Sequence, residues 1–298
     1  MEYRHVPVML KQVLNYLQPQ SGQNFIDATL GGASYTLSLA QAVGSRGKIL
    51  SLDLDPLAIA NAQKLINYQG LQNIKLVLGN FKNIIKIVAD NFSSEILWDG
   101  LVADLGLSSA QLDDYQRGFS FKSKRPLDMS FGPEVVIPTI DIVNNYSASK
   151  LSLLFQDSGA NLKWANSLAE LIVKTRRNKK LLTTNDLLSL ITQVTPRRNY
   201  FDHNSAAIVF QALRMETNGE KLALRELLQA SVDLLKVGGL LVVVSFHSGE
   251  DRIVKNFLKN NGHQWQIITP HPLRPDQAEL NANPRSHSAK LRVARLLK

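Results

Sequence analysis

Cysteine is absent from this chain of 298 residues. Its absence excludes disulfide scaffolds, thiolate zinc sites and cysteine nucleophiles, and it favours a cytoplasmic location. The six histidines are scattered without a metal-binding spacing, which predicts no metal site. No apolar run approaches the roughly 20 residues of a membrane-spanning helix. The N-terminal residues Met1–His5 also lack the apolar segment of a signal peptide, so we expect a cytoplasmic protein that does not enter membranes.

Acidic residues are fewer than basic ones. Lys and Arg number 34 against 25 Asp and Glu, which leaves a net charge of +9. Between Arg252 and Lys298, nine basic residues are accompanied only by Asp276 and Glu279. A second basic cluster contains Lys174, Arg176, Arg177, Lys179, Lys180, Arg197 and Arg198. Such clusters are typical either of a solvated helix face or of a surface that binds a polyanion, and charge alone does not distinguish RNA, DNA and anionic lipid.

Apolar runs alternate with helical patterns in the first hundred residues and again after residue 220. Seven runs are typical of β-strands: Asn24–Leu30, Lys48–Leu54, Asn73–Leu78, Leu97–Leu105, Leu240–Phe246, His263–Thr269 and Ala289–Leu297. The intervening helices predict an α/β fold with a doubly wound, mostly parallel sheet that finishes in an antiparallel hairpin. This order is expected of a class I, Rossmann-like methyltransferase that uses S-adenosylmethionine. A dinucleotide-binding dehydrogenase is the main competing interpretation.

The β pattern disappears between about Gln111 and Phe201. Helical patterns replace it at Ala148–Gln156, Leu162–Thr175 and Asn185–Val194. We interpret residues 111–204 as an inserted, mainly helical domain that recognises the substrate. Residues 1–110 and 205–298 then form the methyltransferase core.

The predicted ligand crevice lies beyond the carboxyl ends of the parallel strands. The first loop opens with Asp27 and lacks the G-x-G-x-x-G spacing of a pyrophosphate site, so a ligand with positive charge fits it better. Asp53, at the end of the second strand, is either a ligand of the cofactor's ribose hydroxyls or a turn residue. Asp55 precedes Pro56 and is expected to cap a helix. Phe81 either covers the adenine or is an ordinary core aromatic.

Candidate catalytic groups follow the fourth and fifth predicted strands. An exocyclic base amine is a poor nucleophile, because its lone pair is delocalised into the ring. Polar acceptors that hold its N–H bonds and orient the lone pair would aid methyl transfer. Asp104 fits this role, although cofactor binding and helix capping are alternatives. Ser108 and His247 are further catalytic candidates, and His247 could instead be a satisfied histidine at a strand end.

Ten short motifs occur in order along the chain. They are His5–Leu10, Asp104–Ser109, Gln111–Asp114, Arg117–Phe121, Pro126–Met129, Phe210–Arg214, Ser245–Ser248, Glu250–Arg252, Asn283–Arg285 and Ser288–Arg292. Together they resemble the ribosomal RNA small-subunit methyltransferase H family. This resemblance implies an enzyme that uses S-adenosylmethionine to methylate N4 of a cytidine in 16S rRNA. It also implies that the cofactor is bound by Ala33, Ser34, Tyr35, Asp53, Phe81, Asp104 and Gln111.

The resemblance further implies a partner, 16S rRNA or the small ribosomal subunit, and a monomer or homodimer. Four segments depart from the family pattern. Ala33–Tyr35 stands where the family has Gly-Gly-His, and glycine is the residue that a positive φ favours. The segments Ser158–Asn161 and Ala206–Val209 also differ from the family pattern. At the fourth position, Gly249 stands where the family has leucine. Two alternatives therefore stay open: a weakened or inactive member that binds RNA as a ribosome-assembly factor, and a methyltransferase with another RNA substrate.

Overall fold

The computed structural model describes residues 7–108, 111–112, 117–119, 125–133, 135–195 and 201–298. Several residues singled out above lie outside these ranges: Met1–Val6, Ser109, Asp113, Asp114, Ser120, Phe121, Arg197 and Arg198. Within the described part of the chain, no helix is both long and apolar enough to cross a membrane.

The strands are β1 (Asn24–Asp27), β2 (Lys48–Asp53), β3 (Ile74–Leu78), β4 (Trp98–Asp104), β5 (Leu235–Ser245), β6 (Trp265–Ile267) and β7 (Lys290–Leu296). The helices before β4 are α1 (Leu10–Leu17), α2 (Ser34–Val43), α3 (Pro56–Gln69) and α4 (Ile84–Asn91). Those between β4 and β5 are α5 (Thr139–Asn145), α6 (Ala148–Asp157), α7 (Leu162–Arg176), α8 (Thr184–Val194), α9 (Phe201–Asn218) and α10 (Glu220–Leu234). Two more, α11 (Ser248–Asn260) and α12 (Gln277–Ala282), follow β5, and short 3₁₀ helices occupy Phe81–Asn83 and Pro284–Ser288.

The chain divides into two compact units. The sheet unit comprises residues 1–109 and 222–298, and the helical unit comprises residues 110–221. All seven strands belong to the sheet unit, whereas α5 to α9 belong to the helical unit. The predicted domain boundary at residues 204 and 205 falls inside α9, and the second unit of the structure extends to Lys221.

The strands form one sheet in the order β3-β2-β1-β4-β5-β7-β6. Each neighbouring pair from β3 to β5 is parallel, whereas β7 is antiparallel to both β5 and β6. The predicted doubly wound, Rossmann-like sheet of seven strands is thereby confirmed. Because β1 lies between β2 and β4, the order of the strands reverses there. The carboxyl ends of β1, β2 and β4 therefore meet at the topological switch point, where sheets of this class bind ligands.

Apolar side chains cover both faces of the sheet. On one face, strand residues such as Ile26 and Val243 pack with α4, α10 and α11. On the other face, residues such as Phe25 and Val242 pack with α1 and α2. A strand that is buried on both faces has a nearly continuous apolar sequence. This explains why the strands were visible as apolar runs.

Local capping signals set several helix starts. The carboxylate of Asp55 accepts a hydrogen bond from the Leu57 amide at 3.0 Å, with Pro56 in the first helical position. The predicted capping role of Asp55 is thereby confirmed. In the helical unit, α7 follows α6 closely and is capped by Asn161, whose side chain accepts from the Trp164 amide at 2.9 Å. The departing segment Ser158–Asn161 is thus the connection between these two helices.

Candidate active site

The loop after β1 contains a residue in a left-handed backbone conformation. Ala33 has a φ of +67° and is completely buried, and its amide donates to the Leu30 carbonyl at 2.7 Å. L-residues with a side chain pay a conformational cost in this region, and glycine does not. The glycine that the resemblance implies at this position would adopt such a backbone without this cost, whereas this chain has alanine there. Ser34 begins α2 directly after it.

Asp27 ends β1 in a buried polar network. Thr36 donates its hydroxyl hydrogen to the Asp27 carboxylate at 2.7 Å, and the same hydroxyl lies 2.7 Å from that of Ser51. Because Thr36 has only one hydroxyl hydrogen, it accepts from Ser51. The Thr29 amide donates to the other carboxylate oxygen at 3.2 Å. Burial nevertheless raises the pKa of Asp27 to about 6. The network therefore orients a carboxylate whose charged form is disfavoured by burial despite these hydrogen bonds.

Asp53 connects the ends of β1 and β2. One carboxylate oxygen accepts from the Gly31 amide at 2.8 Å, and the other accepts from the Asp55 amide at 2.8 Å. A carboxylate oxygen accepts two hydrogen bonds, so each oxygen retains an acceptor position for a hydroxyl group. Burial and the nearby carboxylates of Asp55 and Asp27 raise the pKa of Asp53 to about 6, although the two amide hydrogen bonds lower it.

Asp104 ends β4 and has an unsatisfied carboxylate. Its amide donates to the Thr29 hydroxyl at 2.6 Å, which connects β4 to the loop after β1. Its Oδ1 atom is buried and has no hydrogen-bond partner among the described residues. Burial raises the pKa of Asp104 well above its usual range, and the negative charges of Asp27, Glu250 and Glu279 raise it further. A buried acceptor without a donor is costly, so this geometry favours a ligand that brings a hydrogen-bond donor or a positive charge.

Tyr35 and Phe81 take positions that the sequence did not distinguish. Tyr35 is buried, and its hydroxyl donates to the Val8 carbonyl. Phe81 begins the 3₁₀ turn after β3 and is partly buried against the core on the α4 face. Packing of this kind is what a core aromatic shows, and a contact with adenine stays a prediction. The same holds for a direct cofactor contact of Tyr35.

His247 caps helix α11. Its Nδ1 atom accepts from the amides of Gly249 at 3.1 Å and Glu250 at 3.3 Å. The Nε2 atom lies 3.0 Å from the Glu250 carboxylate, which in turn accepts from the Phe246 amide at 2.9 Å. An Nδ1 atom that accepts carries no proton, so the ring has its proton on Nε2. Nδ1 is therefore satisfied as a helix cap, whereas Nε2 is buried and makes no hydrogen bond of suitable geometry among the described residues, and the catalytic role of His247 stays a prediction.

A glycine makes this cap possible. A Cβ atom at position 249 would lie 2.9 Å from Nδ1 and 3.0 Å from Cε1 of His247. We expect Gly249→Ala to displace the imidazole and to lower the free energy of unfolding by about 1 kcal/mol, as for other lost caps. Urea unfolding measures the stability, and ¹⁵N spectra of the ring report the loss of the Nε2–H tautomer.

The matched control is Gly262→Ala. There a Cβ atom would meet only backbone oxygens at 3.5 Å or more, which is ordinary contact. An unchanged ring spectrum in Gly249→Ala would show that the cap does not depend on the missing side chain.

Ser108 and Gln111 are both buried, and each has interaction partners. Ser108 belongs to the sheet unit and Gln111 to the helical unit. Their catalytic and cofactor-binding roles stay predictions. Among the described residues, no group of three or more His, Asp or Glu side chains could hold a metal ion.

The basic residues of the helical unit have different environments. Arg176 donates to the carbonyls of Val143 and Tyr146, so it serves the fold. Lys179 lies 3.2 Å from Asp186. Three others are exposed around the end of α7: Lys174, Arg177 and Lys180. In the sheet unit, Arg292 pairs with Asp251 at 2.6 Å.

The raised pKa values of Asp27 and Asp53 predict a pH dependence of stability. Each folded-state pKa is about 6, against an ordinary value of 3.8, so the native state binds more protons between these values. Stability therefore falls as pH rises from about 4 to 6, by up to about 3 kcal/mol for each group. Asp27→Asn should remove its part of this loss, which urea unfolding at pH 4 to 7 measures.

Asp186→Asn is the control of opposite sign. Partial burial alone would raise the pKa of Asp186, but hydrogen bonds from Thr183 and Lys179 hold it at about 2. Its contribution to stability is lost only as pH falls toward 2, so this variant should retain the wild-type slope between pH 4 and 7. Equal slopes for wild type and Asp27→Asn would contradict the prediction.

Two acidic residues of the site were not predicted as such. Glu279 of α12 accepts a hydrogen bond from the Met9 amide, although the two residues are 270 positions apart. No local pattern signals this contact. The sequence predicts Glu250 only as an acidic residue that stabilises the first turn of a helix. The proximity of both to Asp104 depends on how the chain returns to the end of the sheet.

Known proteins of similar sequence and fold include methyltransferases. The sequence profile of the MraW methylase family matches residues 2–297. The protein named ribosomal RNA small subunit methyltransferase H from Thermomicrobium roseum is 39% identical, over 97% of this chain and 93% of that protein. The protein of the same name from a Synechococcus species is 40% identical, over 98% and 92%. A solved structure, that of PH0851, has a TM-score of 0.50 and 14% identity over 98% of this chain and 46% of its own, which is a likeness of fold.

Proposed function

This chain belongs to the MraW methylase family, and we propose that it transfers a methyl group from S-adenosylmethionine to N4 of a cytidine in 16S rRNA. The observation that carries the proposal is a buried carboxylate oxygen of Asp104, at the switch point of the sheet, that has no hydrogen-bond partner within the described part of the chain. Because the small ribosomal subunit is a cytoplasmic particle, we propose a cytoplasmic location.

The residues at the switch point fit this cofactor. S-adenosylmethionine supplies an electrophilic methyl group on a sulfonium centre, and it also carries an ammonium group. Burial raises the pKa values of Asp27, Asp53 and Asp104, and the charge of Asp27 raises those of Asp53 and Asp104 further, so positive charge nearby stabilises the carboxylates. A pyrophosphate would add negative charge to the same place. The acidic crevice therefore favours S-adenosylmethionine over a dinucleotide.

Each residue has a distinct part in this proposal. Asp53 retains acceptor positions for the two ribose hydroxyls. The turn at Ala33 brings backbone close to the cofactor, and Asp27 supports that loop through Thr29 and Thr36. The carboxylate of Asp104 either accepts a hydrogen bond from an N–H group of the substrate amine or binds the cofactor.

The chemistry requires a lone pair and a proton acceptor. The amine of cytosine shares its lone pair with the ring, so the acceptor that holds its N–H must also orient it toward the methyl group. Transfer leaves an extra proton on nitrogen. A carboxylate whose pKa is raised by burial is better matched to accept that proton than an ordinary one. Asp104 combines both properties.

The exposed basic residues of the helical unit support RNA as the substrate. The side chains of Lys174, Arg177 and Lys180 are exposed to solvent. Basic side chains bind phosphates in a way that weakens steeply with salt. We propose that these residues bind phosphates of 16S rRNA.

Loss of the modification in cells tests the proposal. Deleting the gene should remove N4-methylcytidine from its position in 16S rRNA, as mapped by mass spectrometry. A plasmid with the wild-type chain should restore it, and one with Asp104→Asn should not. Lys64→Gln, at an exposed position on α3, is the control and should restore it fully. An unchanged level of N4-methylcytidine after deletion would refute the assignment.

One observation favours a second candidate, a ribosome-assembly factor without activity. The loop at Ala33–Tyr35 departs from the family, and the hydroxyl of Tyr35 is engaged by Val8. Calorimetry with S-adenosylhomocysteine separates the two. Binding supports the enzyme, and absence of binding supports the assembly factor.

A further inference from the structure

The N-terminal segment 7–9, here called the strap, is held tightly in the sheet unit. Val8 is 5% exposed and Met9 is completely buried. Both pack in the cluster that contains Tyr35 and residues of β5 and β7. A strap so short gains this burial only because its backbone groups are also satisfied.

Two side chains from elements distant in the sequence form hydrogen bonds with the backbone of the strap. The Tyr35 hydroxyl donates to the Val8 carbonyl, and the Met9 amide donates to the Glu279 carboxylate. Met9 has a φ of +53°, a conformation that non-glycine residues rarely adopt. Such a conformation persists only where surrounding contacts hold it. The two hydrogen bonds are contacts of this kind.

These bonds connect three separate parts of the chain. Glu279 lies in α12, the strap precedes α1, and Tyr35 is the second residue of α2, directly after the turn at Ala33 that is expected to hold the cofactor. Tyr35 is therefore linked to α12 through the strap. Its hydroxyl is a reliable donor, because burial and the acids Asp104 and Asp27 raise its pKa well above the usual value.

We propose that Tyr35 and Glu279 are positioning residues for the cofactor: by their hydrogen bonds to the strap, they fix the turn at Ala33 and the start of α2 in the binding conformation. The inference rests on the proposed function and deepens it. A loop that is fixed before binding loses less conformational entropy when the ligand arrives, and its affinity is higher for that reason. Tyr35 thereby acts through backbone position in this chain.

The variants are chosen to separate this role from others. Tyr35→Phe removes the donor while keeping the ring, and Glu279→Ala removes the acceptor. Glu279→Gln retains an oxygen that can accept from the Met9 amide, so it should restore binding. If Glu279 instead attracted the cofactor by charge, the glutamine variant would be as weak as the alanine variant. Tyr16→Phe, partly buried against the same cluster, and Glu226→Ala, exposed on α10, are the matched controls.

Calorimetry with S-adenosylhomocysteine is the main measurement. We expect Tyr35→Phe and Glu279→Ala each to weaken binding about five-fold, the effect of one hydrogen bond. The double variant should be little weaker than either single one, because both act through the same strap. In turnover assays on small subunits, the KM for S-adenosylmethionine should rise while kcat is kept.

Amide hydrogen exchange measures how firmly the turn at Ala33 is held in the absence of any ligand. The Ala33 amide bonds to the Leu30 carbonyl, and the Leu37 amide bonds to the Ala33 carbonyl. Both should exchange faster in Tyr35→Phe and Glu279→Ala, and at the wild-type rate in the two controls. Wild-type binding together with unchanged affinities and exchange rates in the variants would overturn the positioning role alone. No binding by the wild-type protein would overturn the proposed function and this role together.

Discussion

Replacement of Asp104 by alanine should reduce kcat for methyl transfer by about 10²–10³, the effect of removing one preorganised polar group from a reacting centre. The carboxylate is buried at the end of β4 with an oxygen that no described residue satisfies. A buried acceptor in this state is stabilised by a ligand that donates a hydrogen bond to it. Transfer of a labelled methyl group to small ribosomal subunits from a strain without the enzyme measures the effect.

A second substitution, Asp104→Asn, removes the carboxylate charge and should raise stability. Asp27, Glu250 and Glu279 all act on Asp104 with negative charge. Removing one member of such a group relieves repulsion, so Asp104→Asn should have a higher midpoint of thermal unfolding than the wild type. A gain of stability with a loss of turnover is a signature that a misfolded variant cannot produce. Asp90→Asn, on the exposed surface of α4, is the control for the loss of an acid. Full activity of Asp104→Asn would place the catalytic acceptor elsewhere.

Asp53→Ala should weaken S-adenosylhomocysteine about 100-fold. The expected loss corresponds to two hydrogen bonds from ribose hydroxyls to a charged acceptor, at about 1.5 kcal/mol each. The alanine variant also leaves the Gly31 amide without its acceptor, which loosens the loop after β1. Calorimetry gives the affinity, and an S-adenosylhomocysteine analogue without the ribose hydroxyls should lose much less affinity in the variant, since only the effect of the loosened loop remains.

The neighbouring carboxylate provides the contrast. Asp55 caps α3, so Asp55→Ala should cost about 1 kcal/mol of unfolding free energy and change the affinity little. If both variants weakened binding equally, the turn as a whole would be responsible and Asp53 would have no separate part.

Local sequence patterns predict most strands of the sheet unit. Strands β2, β4 and β7 lie within one or two residues of the predicted bounds, because strands that are buried on both faces read as apolar runs. β1 ends at Asp27, three residues before the predicted end, since the apolar residues after it belong to the loop. β5 begins at Leu235, where Trp98 pairs with it before the register shifts. The predicted strand begins only at Leu240, five residues later.

The sequence by itself determined the alternation of strands and helices, and it determined that Asp55 caps a helix, because the signals lie in adjacent residues. It also placed Asp27, Asp53 and Asp104 at one edge, since carboxyl ends of parallel strands share that edge. Only the tertiary structure decided which atoms these carboxylates face.

Tertiary structure likewise decided that the His247 ring caps a helix and that Tyr35 bonds Val8. A side chain's partner depends on its rotamer and on residues far away in the chain. The contact of Met9 with Glu279 spans 270 positions, so it exists only after the sheet has brought both ends of the protein together.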